Sequence, residues 1–254
     1  MNQKQQYLFN KNRLRRIIAY MKVWAYTIYR EPHKLNLVGL RNANTVSDSF
    51  DDIMLVFWYT DTGKLEYRTY KQTTDPSTHF LKNPMDAGGA AIMKGGQYLD
   101  SWTLISTARF GFAAKEFMQI RPITILRDNN RDNILDFWTS IATTGLYGIN
   151  MHTGAGPGQK SVSVGLWSAG CQAMEEWSNW LELISLAERH IALYGNLFSY
   201  TLLDEKASQQ ARVKNGLLAI IFLLLLLAWY CRQRLIDLKN SLYKPPQIMQ
   251  TPSR

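Results

Sequence analysis

Residues 216–231 carry no charge, and 223–227 are five consecutive leucines. A helix apolar on every side needs apolar surroundings on every side, which a C-terminal appendage finds in a bilayer rather than in a core. The run is a little short of the roughly 20 residues that cross a hydrocarbon core. Val213 and the interface-seeking pair Trp229 and Tyr230 lengthen it. The expectation is a C-terminal transmembrane helix, which confines any globular fold to the chain before it. Charge divides the rest. Residues 1–34 hold eight Lys or Arg against one acid, Glu31, and 206–254 hold eight against Asp237. Residues 35–205 hold 13 basic and 18 acidic residues. The domain reading is therefore a basic amphipathic N-terminal helix in 1–34, a globular domain in 35–205, a linker in 206–215, the span at 216–231 and a basic tail in 232–254. Basic arms beside an apolar span point to anionic membrane lipid as a partner. No nucleic acid is expected, because the middle domain lacks an aromatic platform or an Arg-rich motif. Three basic residues precede the span (Lys206, Arg212, Lys214) and four follow it (Arg232, Arg234, Lys239, Lys244). That tilts the tail inward and the domain outward.

Periodicity predicts a helix over 13–29, with Leu14, Ile17, Ile18, Met21, Trp24, Ala25 and Ile28 on one stripe. It is read either as lying on lipid or as docked on its own domain. Residues 53–71 predict a β-hairpin turning at Asp61, Thr62 and Gly63. Short strands follow near 90–93, 97–106, 109–119 and 121–127, and a last one over 197–203. A late helix is expected from Gln172 to about Tyr194, stopped by Gly195. The fold class expected is mainly β, a sandwich or barrel with a late helix, between the N-terminal amphipathic helix and the C-terminal transmembrane helix.

Two chemistry-bearing residues share Gly-rich surroundings. His152 sits in Gly148-Ile149-Asn150-Met151-His152-Thr153-Gly154, and Cys171 in Trp167-Ser168-Ala169-Gly170-Cys171-Gln172. Cysteine acyl transfer needs a thiolate, a base that makes it and backbone donors for the oxyanion. Cys171 supplies the first and His152 the second, with the amides around Gly170 to Gln172 as donors. A helix starting at Gln172 would set its N-terminus beside the sulfur and favour the thiolate. A lone cysteine is otherwise a small buried hydrophobe. Here the two residues fall together.

The spacing resembles the L,D-transpeptidase signature, a His, a gap in the mid-teens, then Ser or Thr, usually His, Gly and Cys. Fifteen residues separate His152 from Ser168. The resemblance covers roughly 37–205, and 164–172 looks like a divergent bacterial and phage branch. Ala169 stands where the family usually has a second His. The resemblance implies a β-rich catalytic domain acting on peptidoglycan stem peptides, with a thioester on Cys171 resolved by amine or water and no cofactor required. It gives Ser168 an orienting role toward His152 or the substrate, and Trp167 and Gln172 places at the substrate cleft. Joined to the expected span at 216–231, it makes the expectation a membrane-anchored enzyme whose domain faces the cell wall. The rival expectation is a catalytically silent wall-binding protein, or a phage structural or lysis protein.

A second constellation runs from Asp128 to Asp136. Asp128, Asn130, Asp132 and Asp136 put oxygens at positions 1, 3, 5 and 9, echoing a structural Ca²⁺ loop. Thr139 replaces the bidentate Glu at position 12. The other reading is an Asx-rich turn.

Overall fold

The computed structural model describes residues 9–108, 111–137, 141–204 and 232–235. The chain divides into two units, one ending at Lys206 and one starting at Ala207. Of the second, only 232–235 is described, an exposed helical stretch. The first contains the helices α1 (Lys11–Val23), α2 (Thr78–Lys82) and α3 (Trp177–Tyr194). Its strands are β1 (Asn36–Arg41), β2 (Asp52–Tyr59), β3 (Leu65–Thr73), β4 (Ala90–Met93), β5 (Gly96–Thr107), β6 (Ala114–Gln119), β7 (Ile123–Asp128), β8 (Ala142–Gly145), β9 (Met151–Thr153), β10 (Gln172–Met174) and β11 (Phe198–Asp204).

Eight strands close a barrel in the order β1-β11-β5-β6-β9-β10-β3-β2, and β4-β7-β8 form a separate small sheet. Neighbours in the barrel are antiparallel except β1 with β11 and β9 with β10. The continuous apolar run of β2 follows from burial on both faces. Met54, Val56 and Trp58 enter the main core with Trp102, Phe117, Met151 and Tyr200. Ile53, Leu55 and Phe57 face the other way, onto Leu14, Ile18 and Met21 of α1. The barrel thus covers the apolar stripe of the N-terminal helix.

α1 is capped by Asn10, whose side chain accepts the Arg13 N–H at 3.0 Å. It ends well before the expected residue 29. Ala25 is left-handed at φ 54, and the Thr27 backbone then pairs with the Gln97 side chain, which accepts its N–H at 2.7 Å and donates to its carbonyl at 2.9 Å. A tertiary partner therefore takes over the backbone bonds that would have continued the helix.

Two expectations need correcting. The late helix begins at Trp177, and 172–174 form β10 instead, because β9 and β3 offer strand partners on both sides. The fold class also changes at its C-terminal end. Among the described residues no helix is long and apolar enough to cross a membrane. Each long helix described buries one stripe and exposes charge on the rest, α1 through Arg15, Arg16 and Lys22 and α3 through Glu182, Glu188 and Arg189. The expected span at 216–231 lies outside the described residues. The architecture is a closed barrel with a side sheet and peripheral helices.

Candidate active site

β9 lies between β6 and β10 in the barrel wall. Its parallel pairing with β10 sets Met151 opposite Gln172, His152 opposite Ala173 and Thr153 opposite Met174. Cys171 leads directly into β10, whose first amide, Gln172 N–H, donates to Asn150 O at 2.9 Å. Side chains alternate along a strand, so Cys171 and Ala173 share a face. Since Ala173 is the partner of His152, Cys171 and His152 are diagonal neighbours on one face of adjacent strands, a separation that long and aromatic side chains span. Ala173 packs there with Phe50 and Val164. His152 is buried, 1% exposed, while Cys171 is half-exposed.

The imidazole is held in one tautomer. His152 Nδ1 lies 2.6 Å from Thr153 O, and a carbonyl oxygen only accepts. Nδ1 therefore carries the hydrogen, and the Nε2 of the neutral ring keeps its lone pair. That is the form a general base requires. The Cys171 thiol points its hydrogen at Gly148 O, 3.5 Å away.

The turn before Cys171 is stapled by Ser168, which is fully buried. Its hydroxyl accepts the Gly170 N–H at 3.1 Å and lies 2.8 Å from Cys171 O and 3.0 Å from Asp75 O, to which it donates. Ser168 thus shapes the turn that leads into Cys171, and its hydrogen bonds go to backbone rather than to His152. Gly170 is obligatory there. Its φ is +130°, and an added Cβ would stand 2.2 Å from Ala91 O. Gln172 is also buried and turns into the barrel, where Tyr200 Oη donates to its Oε1 at 2.9 Å. Its own amide reaches toward Gly170 O at 3.4 Å. The expectation that Gln172 meets substrate gives way to a supporting role, because inward alternation on β10 removes it from the outer face. The helix N-terminus expected beside the sulfur is likewise replaced by a strand. Of the three amides expected to hold an oxyanion, Gly170 N–H is taken by Ser168 and Gln172 N–H by Asn150.

Trp167 ends a short 3₁₀ turn, Gly165–Trp167, and borders the site half-buried. Its ring is 6.4 Å from Phe112, which meets Trp177 edge-on at 5.4 Å. Trp177 in turn lines a groove of about 750 Å³ between the β5–β6 hairpin and α3, with Trp180, Leu181, Ile184, Lys115 and Glu188. Neither Cys171 nor His152 lines this groove. The aromatic chain Trp167–Phe112–Trp177 is what joins the two places.

The acidic loop folds as a set of Asx turns. Asn130 Oδ1 accepts the Asp132 N–H at 3.1 Å, Asp132 Oδ1 accepts that of Ile134 at 2.8 Å, and Asp128 Oδ2 accepts that of Asp136 at 3.0 Å. Asn130 Nδ2 then donates to Asp132 and Asp136. One oxygen from each of Asn130, Asp132 and Asp128 thus accepts a loop N–H, as the Asx-turn reading expects. Burial holds the Asp128 carboxyl above its usual range, and Asp136 and Asp132 push the same way. Among the described residues no three His, Cys, Asp or Glu side chains form a group that can hold a metal ion.

Compared with known proteins, the chain matches no family model, no curated protein and no solved structure.

Proposed function

We propose that this chain is a peptidoglycan-active cysteine acyltransferase of the L,D-transpeptidase kind. The observation that carries the reading is the parallel pairing that sets His152 opposite Ala173, two residues from Cys171, with the imidazole Nδ1 held by Thr153 O in its base-competent tautomer. In this reading Nε2 removes the thiol proton as sulfur attacks the carbonyl between the diamino-acid residue and the terminal D-residue of a stem peptide. The Cys171 amide is assigned to the developing oxyanion. Collapse of the tetrahedral species breaks the C–N bond, the imidazolium hands its proton to the departing amine, and a thioester remains on Cys171. A second amine or water then attacks that thioester, with His152 again as base, which yields a cross-link or a trimmed stem. Trp167 walls the cleft, and Ser168 and Gly170 keep the sulfur presented.

The test is mass spectrometry of the full chain incubated with stem tetrapeptide. A thioester adduct on Cys171 is expected in the wild type and none in Cys171→Ala, which removes little volume and keeps the native circular-dichroism spectrum. Turnover retained in Cys171→Ala overturns the mechanism. A wild-type chain that retains stem peptide without adduct or product supports a wall-binding protein instead.

A further inference from the structure

Docking on the barrel uses one stripe of α1 and leaves another face in solvent. Leu14, Ile18 and Met21 are buried against β1 and β2. Lys11, Arg15 and Lys22, four and seven residues apart, form a row on the exposed side, and Arg16 flanks it. From Phe9 to Arg30 the chain holds six basic residues and no acid. Among the described residues Arg15, Arg16 and Lys22 make no ion pair. Glu66 of β3, the acid that feels Lys11, is paired with Lys64 at 2.5 Å. The residues outside the described ones hold two acids, Glu205 and Asp237, against eight Lys or Arg, so they add positive charge rather than neutralise it. The helix ends on exposed apolar side chains. Val23 is 83% and Trp24 48% exposed, and the Trp24 ring meets that of Tyr20 at 6.0 Å.

We propose that this face of α1 docks the domain on an anionic lipid bilayer. Guanidinium and ammonium groups in solvent are complementary to a surface of phosphate headgroups, and each adds roughly fivefold to partitioning there. The contact is shallow and electrostatic, because the barrel already holds the apolar stripe that a free amphipathic helix would bury in lipid. A Trp beside a Val at the end of a basic row suits the headgroup level of a bilayer, whereas contact with duplex phosphates is carried by the cations alone. The placement also suits the barrel. β9 is four strands from β1 in either direction, so a bilayer held by α1 leaves the strand of His152 on the far side. The docking face stands apart from the acyltransferase reading, and neither needs the other.

The test follows Trp24 itself. The full chain is labelled with 5-fluorotryptophan, its Trp24 ¹⁹F signal is assigned through Trp24→Phe, and it is mixed with vesicles that carry a gadolinium-chelate lipid. The vesicles are phosphatidylcholine alone, or phosphatidylcholine with one third phosphatidylglycerol. Broadening of the Trp24 signal is expected on the anionic vesicles only, and it should disappear in 1 M salt, where the screening length falls to about 3 Å. The triple variant Arg15→Gln, Arg16→Gln, Lys22→Gln changes exposed side chains outside the packed stripe. It should lose the broadening and keep the native circular-dichroism spectrum. Equal broadening on both vesicles, broadening that survives salt or the triple variant, or no broadening on either overturns the proposal. If the variant misfolds, the lipid and salt comparisons on the wild type decide. With no broadening on either vesicle, retention on duplex DNA that the variant loses assigns the face to nucleic acid instead.

Discussion

At the scale of single residues, two histidines show how position decides protonation. His152 donates through Nδ1, whereas His190 accepts. The Leu35 N–H donates to His190 Nδ1 at 3.0 Å, and the ring stacks on Phe198 with centroids 4.7 Å apart. Burial holds this imidazole below its ordinary value of 6.5. Lys34 works in the same direction, against the Leu197 backbone and Asp100. A histidine whose folded-state affinity for protons is weakened contributes stability above the unfolded value, and this is lost as pH falls through the lower folded value. The melting temperature should therefore fall between pH 7 and pH 5. His190→Gln keeps an acceptor for Leu35 but cannot titrate, so its acid limb should be shallower in calorimetric scans. Parallel limbs for the two proteins would remove His190 as the cause.

At the scale of elements, α1 and β10 behave in opposite ways. α1 follows its local signals at the start, an Asn cap and an apolar stripe, and its docking is a packing effect. Leu14 and Met21 are each 1% exposed against the outer side of β1 and β2. Leu14→Ala should cost about 2–5 kcal/mol by the usual large-to-small measure, read as a lower denaturation midpoint in urea. Lys22→Ala, on the exposed side, should leave that midpoint within error. An equal small effect from both would mean that α1 contributes little to the folded unit. β10 has no such local signal. Its three residues read as the opening of the helix that follows, and only pairing with β9 and β3 makes them a strand.

At the scale of the molecule, Arg41 ties the barrel to the small sheet. It is almost fully buried, pairs with Asp75 at 2.9 Å and Asp204 at 3.6 Å, and donates to Met93 O at 2.8 Å and Thr74 O at 2.9 Å. Those partners come from β4, β11 and the segment after β3. Burial raises the Asp75 carboxyl, with the Arg41 charge pulling it back down, and burial together with Asp75 raises Asp52 well above its usual range. Removing the cation strands these carboxylates. Arg41→Ala should destabilise the fold by about 3–5 kcal/mol, seen as a lower denaturation midpoint. Arg41→Lys should recover only part, since an ammonium cannot reproduce the fork of donors. Because Asp75 O also receives Ser168, loosening this cluster should slow Cys171 alkylation as well. A variant with an unchanged midpoint would show the cluster to be dispensable.

What was legible in the sequence lies within short stretches of chain. The β2–β3 hairpin, the capped stripe of α1 and the stop at Gly195 each follow from neighbours a few residues apart, because alternation, capping and left-handed turns are local physics. His152 and Cys171 could be singled out as chemistry-bearing types in Gly-rich surroundings. Their common face could not, since it depends on β9 and β10 being parallel partners, a contact across about twenty residues of loop. Nor could the inward turn of Gln172 or the staple made by Ser168 between Cys171 and Asp75. Burial on both faces of β2 and a single stripe on α1 are distinguished only by what packs against them. Local preference selected several elements, and strand pairing around the closed barrel decided which side chains meet.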